Sequence, residues 1–201
     1  MDELVLRALR KWPDVPAVYG WLGLDRRGSW LLRGERIVHP TLIGFIGRNY
    51  ACDAVGRWYF QNGPQRVFVA LAYVPYVYRT VPLQSGGLGL CAHTGVPVNG
   101  ATAAWLDDIG GLLLETELGV GVVHDFDLPE LLASVCGPSG EALEDDAIER
   151  LLTHPPHAGA PAPRLQLAGH ALVISRIGSA EVATRFGFVP EPRPAAGEPQ
   201  C

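Results

Sequence analysis

YGWLGLDRRGSWLLR (residues 19–33) carries a short motif at its centre, Asp25-x-x-Gly28-x-Trp30. The spacing returns as Asp53-x-x-Gly56-x-Trp58 and as Asp107-x-x-Gly110-x-Leu112. An aspartate three residues ahead of a glycine is what a type I turn prefers. The carboxylate accepts backbone N–H groups, and the glycine takes the left-handed conformation that follows. Between two strands, this is a three-residue hairpin loop with a bulge at glycine. If Asp25 pairs with Ser29, Leu24 faces Trp30 and Leu22 faces Leu32. The same register sets Cys52 against Trp58 and Tyr50 against Phe60, then Leu106 against Leu112 and Ala104 against Leu114. All six pairs are apolar, as cross-strand neighbours on a buried face should be. A four-residue loop would instead set Gly23 against Trp30 and Leu106 against Gly111. The motif therefore specifies three hairpins in one register.

A calcium loop also contains Asp-x-x-Gly, but calcium needs six or more oxygens, and no copy here has further acids at alternate positions. The copies lie 28 and then 54 residues apart, close to one and two units of about 27. No Asp-x-x-Gly falls near residue 80, so the sequence does not support a regular repeat array.

The 201 residues are 48% hydrophobic and 18% charged, ample for one domain with a large core. With 24 glycines and 17 prolines spread along the chain, short strands and many turns are expected over long helices. A net charge of −5 and the lack of any Lys or Arg run disfavour nucleic acid. The start, MDELVLRALRKWP, lacks the basic opening and apolar core of a signal peptide, and no apolar run is long enough to span a bilayer. Cys52, Cys91, Cys136 and Cys201 are widely separated and read as reduced thiols of a cytoplasmic protein.

Residues 2–11 form a short amphipathic helix stopped by Pro13, and Pro40 opens a second one in HPTLIGFIGRNY. Residues 50–79 are strongly β, with a hairpin signal at Asn62-Gly63. Residues 84–100 are turn-rich and unassigned. ATAAWL, GLLLET and LGVGVVH make three more strands. Beyond residue 126 helices are expected, the first capped by Asp127 with Glu130 at capping-box spacing, the second over 141–152. Residues 153–163 form a proline-rich linker, LQLAGHALVISRI is one last strand, and Ser179 caps a short helix over 180–186. The expectation is an α+β fold: a mainly antiparallel sheet of consecutive β-hairpins over 1–126, with the N-terminal helix. A helical C-terminal part over 127–189 packs on it as part of the same domain, and 190–201 is a disordered tail.

Chemistry is sparse. His124 and Asp125, at a strand end, offer the beginnings of a metal site or an acid–base pair, but as strand neighbours they point to opposite faces. A zinc site needs a further ligand, such as His93 or Cys91. Gly86, Gly87 and Gly89 lack the Lys and Ser/Thr of a phosphate loop, and Ser85 lacks a nucleophile elbow. No cofactor is implied. Arg57 and Tyr59 lie on the face opposite Trp58, an exposed face for a partner or one covered by the C-terminal helices.

The stretch GWLGLDRRGSW resembles WG-type β-hairpin repeats over about fifteen residues. Across Trp21–Trp30, Phe45–Tyr50, Gly56–Val69 and Thr184–Val189 the chain resembles a conserved, uncharacterised bacterial family; that resemblance implies no activity. Two function classes follow. The first is a non-catalytic binding or interaction protein, as a homodimer or with a protein partner. The second is a small metal-assisted hydrolase centred on His124 and Asp125.

Overall fold

The computed structural model describes residues 1–13, 15–84, 86–144, 146–148, 150 and 162–194. The chain divides into two compact units. The first holds Met1–Pro75, His93–Gly95 and Ala183–Cys201, and the second holds Tyr76–Ala92 and Val96–Val182.

In the first unit, α1 (Glu3–Lys11) carries Glu3 in its first turn and Arg10 and Lys11 in its last, charges that suit the helix dipole. α2 (Pro40–Arg48) begins on the expected proline. Six strands, β1 (Val18–Leu24), β2 (Trp30–Leu32), β3 (Glu35–Arg36), β4 (Tyr50–Cys52), β5 (Trp58–Asn62) and β6 (Gln65–Leu71), form one sheet in the order β3-β2-β1-β6-β5-β4. The second unit holds β7 (Tyr76–Pro82), β8 (Leu88–Ala92), β9 (Pro97–Val98), β10 (Ala101–Asp107), β11 (Leu112–Thr116), β12 (Gly119–Val123), α3 (Leu128–Leu132), β13 (Val135–Cys136), β14 (Arg164–Leu167) and β15 (His170–Ile177). Its nine-stranded sheet runs β13-β14-β15-β10-β11-β12-β7-β8-β9. A 3-10 turn at Ser179–Glu181 leads into α4 (Val182–Phe186).

All six cross-strand pairs expected from the three motifs are present: Leu22 with Leu32, Leu24 with Trp30, Tyr50 with Phe60, Cys52 with Trp58, Ala104 with Leu114 and Leu106 with Leu112. In each turn one aspartate oxygen accepts two backbone N–H groups. Asp25 takes those of Arg27 and Ser29 at 2.9 and 2.7 Å, Asp53 those of Val55 and Arg57 at 3.1 and 2.9 Å, and Asp107 those of Ile109 and Gly111 at 3.0 and 2.6 Å. Gly28, Gly56 and Gly110 are left-handed, with φ of 79°, 86° and 83°.

The same backbone loop occurs where no aspartate announces it. Between β7 and β8 the Leu83 N–H donates to Gly87 O at 3.0 Å, and Gly86 has φ 85°. After β13 the Gly137 N–H donates to Glu141 O at 2.8 Å, and Gly140 has φ 88°. The loops after β1, β4, β7, β10 and β13 open at residues 25, 53, 83, 107 and 137, at intervals of 24 to 30 residues. The same loop occurs once more between β8 and β9, where the Ala92 N–H donates to Val96 O at 2.9 Å and Gly95 has φ 83°. Each of the first five belongs to a three-stranded antiparallel meander, the last with a long excursion between β13 and β14. Within each sheet, the first strand of one meander pairs in parallel with the last strand of the next: β1 with β6, β7 with β12, and β10 with β15.

These parallel joints correct the expectation of a mainly antiparallel sheet, because both sheets are mixed. The C-terminal part is also not the helical element expected. LQLAGHALVISRI folds as two strands around a tight turn at Ala168-Gly169, with Ala168 at φ 50°. That turn escaped sequence reading because alanine rarely takes the left-handed region. The Asn62-Gly63 hairpin also shifts by one residue. Asn62 pairs with Gln65, and the loop is Gly63-Pro64, with Gly63 at φ 57°. Asp127 places no side-chain cap on α3, and Gly178 rather than Ser179 precedes the final helical segment. The expected helix over 141–152, linker over 153–163 and tail over 190–201 lie partly outside the described residues. Of the tail, Pro190 O accepts the Leu71 N–H at 2.8 Å.

Gly56 and Gly110 occupy the same loop position with nearly the same φ, but a Cβ on Gly56 would lie 2.2 Å from Gly187 O, whereas one on Gly110 meets nothing within 4 Å. Gly110→Ala should therefore cost only the left-handed strain, roughly 1–2 kcal/mol. Gly56→Ala should cost clearly more, because backbone must move. Urea unfolding of the two variants measures the difference, and equal losses would contradict it.

Candidate functional site

The residues singled out by sequence separate between the units. His93 belongs to the first unit, and His124 and Asp125 belong to the second. The His93 ring lies against Trp30 at 5.1 Å and Tyr50 at 5.9 Å between centroids. Burial in these surroundings holds its imidazole far below the usual range, at about 3, so the ring is neutral at physiological pH.

His124 is buried and belongs to a strand-to-helix turn. Its N–H donates to Tyr78 O at 2.9 Å, and its carbonyl accepts the Asp127 and Leu128 N–H groups at 2.9 and 3.2 Å. Nδ1 lies 2.9 Å from Asp125 Oδ1, and the Phe126 N–H points at both atoms, at 3.2 and 3.1 Å. The ring stacks on Phe126, with 5.4 Å between centroids. Next to it, Asp127 engages Arg79 with both oxygens, Nε at 2.5 Å and Nη2 at 3.1 Å, and accepts the Thr80 N–H at 3.0 Å. Burial pushes the Asp127 carboxyl up, but Arg79 and the Thr80 N–H outweigh this and hold it below the ordinary range. Glu130 accepts the Thr80 hydroxyl at 3.0 Å instead of closing a capping box. These contacts connect β7 to the start of α3. Among the described residues, no group of three or more His, Cys, Asp or Glu side chains is placed to hold a metal ion.

Arg57 and Tyr59 do share a face of the first sheet, but there the face is closed. Tyr59 is buried with Phe68 and Ala17, and Tyr19 stacks on Phe68 at 4.5 Å. The Arg57 guanidinium lies 4.6 Å above the Phe68 ring, donates to Asp53 Oδ2 at 2.7 Å and reaches the Tyr19 hydroxyl at 3.3 Å. Arg66 covers Tyr59 at 4.9 Å. Burial raises the Asp53 carboxyl, and its bonds from Arg57 and Val55 bring it below the ordinary range.

The same face opens further along β1. Gly23 pairs with Leu31 on β2 and with Ala70 on β6, so two neighbouring strands carry glycine and alanine there, with the Leu31 side chain along one flank. The result is a groove of about 330 Å³ lined by Trp21, Gly23, Leu31, Arg33, Ala70 and Glu191. Trp21 is 43% exposed, and the Arg33 guanidinium lies over its ring at 3.7 Å. Arg33 and Gly34 form the tip of the β2–β3 hairpin, with φ of 51° and 87°. Two left-handed residues are what a type I′ turn demands, and the equivalent Ala168-Gly169 tip meets the same demand. The left-handed arginine therefore follows from the turn, and its position on Trp21 is what distinguishes it.

None of the groove residues was singled out from sequence as a site, yet the signal was there. The register that buries Leu22 and Leu24 turns Trp21 and Gly23 to the other face. That set a large aromatic and a gap side by side on a surface.

The family model DUF2944, described as "Protein of unknown function (DUF2946)", matches residues 1–193. No curated protein matches the chain. A crystal structure of a DUF1285 family protein from Silicibacter pomeroyi DSS-3 is similar in fold, with a TM-score of 0.53 at 12% identity over 87% of this chain and 96% of that one. A DUF1285 family protein from Shewanella baltica OS155 gives a TM-score of 0.43 at 15% identity over 58% of this chain and 91% of that one. Among the described residues no helix is long and apolar enough to cross a membrane.

Because folding depresses the His93 pKa, the unfolded chain binds a proton that the folded protein excludes. The stability this residue supports is complete above pH 6.5 and declines as pH falls toward 3. Between pH 6.5 and about 4.5, above the carboxylate range, wild type should lose stability with falling pH while His93→Phe loses less. Denaturant melts across that window check this, and parallel curves would contradict it.

Proposed function

The chain belongs to the DUF2944 family, and we propose that it is a non-catalytic binding module whose site is the groove beside Trp21 on the first unit's sheet. One observation carries the reading: an exposed tryptophan stands beside a gap made by Gly23 and Ala70. A surface that only needed covering would be filled, as it is further along the same sheet where Tyr19, Phe68 and Tyr59 pack under arginines. Binding sites are concave and largely apolar with a few placed polar groups, and about 300 Å³ is enough for a small molecule. The hydrolase reading at His124 and Asp125 has weaker support, because their polar atoms serve the turn into α3.

A Cβ on Gly23 would meet Ala70 O at 3.5 Å and Leu31 Cβ at 3.8 Å, which are ordinary contacts. Gly23→Val should therefore fold normally, since valine suits a strand, while its side chain fills the floor of the groove. Ligand-observed NMR with a panel of small apolar fragments should detect binders of wild type that fail to bind Gly23→Val. Binding that survives the substitution, or no binder at all, would overturn the proposal.

A further inference from the structure

We infer that the ligand of this groove is a small carboxylate with a flat apolar body, its carboxylate taken by Arg33 and its body lying over Gly23 and Ala70 beside Trp21. The inference rests on the binding-module reading and adds the ligand's class. Two ionic groups line the groove, and they differ in their company. Glu191 Oε2 lies 3.4 Å from Arg193 Nη2, so its charge has a counter-charge. The Arg33 guanidinium carbon lies 3.7 Å from the Trp21 ring centroid, and among the described residues no carboxylate is in ion-pair range of it. The groove therefore offers one uncompensated positive charge, which favours an anion.

The geometry of the charge narrows the class further. A guanidinium held over an aromatic ring by its charge still carries a planar fork of parallel N–H donors, and that fork matches the two oxygens of a carboxylate. The ring contact also restrains the arginine before the ligand arrives, which lowers the ordering cost of binding. The floor at Gly23 and Ala70 presents no donor or acceptor side chain, so the part of the ligand beyond its carboxylate is apolar. The space is small: about 330 Å³ corresponds to roughly ten water volumes, room for one ring or a short chain. A polymer is disfavoured, since single-stranded nucleic acids need successive open rings, and here Phe68 and Tyr59 already lie beneath Arg57 and Arg66.

Arg33 offers a clean test because its backbone and its side chain ask for different residues. At the first position of a type I′ turn asparagine is preferred, so Arg33→Asn should melt at or above the wild-type temperature while removing the charge. Benzoate, benzamide and benzylamine share one skeleton and carry negative, zero and positive charge. Titrated against wild type by calorimetry and ligand-observed NMR, benzoate should bind at least roughly tenfold more tightly than benzamide, with benzylamine weakest. In Arg33→Asn the preference for benzoate should vanish while the fold persists. Equal binding of all three to wild type, lost in Gly23→Val, would overturn the carboxylate assignment and leave the binding module standing. Binding of none of the three would overturn the carboxylate assignment, and the fragment panel decides the binding module separately. A benzoate preference that persists in Arg33→Asn would overturn the role of Arg33.

Discussion

A five-residue loop closed by one backbone pair, with a left-handed glycine in its fourth position, governs this structure. The loop allows one register only, because the strand on its far side can meet the near strand in step at a single offset. A slip of one residue would turn every side chain to the other face. Aspartate strengthens the loop by satisfying two N–H groups at once, as Asp107 does while fully buried. It is not required, since Leu83 and Gly137 open the same loop without it. The indispensable element is the glycine, which adopts φ near 85° without the clash that a Cβ brings.

Everything else about the sheets follows from how the resulting meanders are joined. A meander has two edges, and each joint here pairs the first strand of one meander with the last strand of the next. Because those two strands run the same way, the joint is parallel, and a chain made of antiparallel hairpins becomes a mixed sheet. In the first unit this places β1 at the centre, flanked by β2 and β6. A central strand has neighbours on both sides, so a missing side chain there is a gap with walls. Gly23 is such a gap, and the hairpin tip that follows β2 delivers Arg33 to its rim.

Much of the local structure was legible in the sequence, and the reasons are specific. Leu22, Leu24, Trp30 and their counterparts gave the register, because turn chemistry and apolar alternation agreed. The parallel joints were not legible, since a short apolar strand reads the same whether its neighbour runs with it or against it. The loops at Leu83 and Gly137 were missed because those residues lack the side chain that marks the others. The turn at Ala168 was missed because the residue disfavours the conformation it adopts. For the site, His124 and Asp125 attracted attention as residue types, yet their atoms serve a turn. Trp21 and Arg33 looked like ordinary strand and turn residues, and only the three-dimensional row Leu31–Gly23–Ala70 shows the space beside them.

The most direct test of the account uses the two tryptophans that flank the first loop's register. Trp30 is buried on the core face and Trp21 is exposed on the groove face of the same hairpin. Protein labelled with fluorotryptophan, assigned by Trp21→Phe and Trp30→Phe variants, reports the two faces separately by fluorine NMR. Titration with benzoate should shift the Trp21 resonance in a saturable way and leave Trp30 unmoved. A saturable shift at Trp30 with Trp21 unchanged, or no shift at either, would contradict the account.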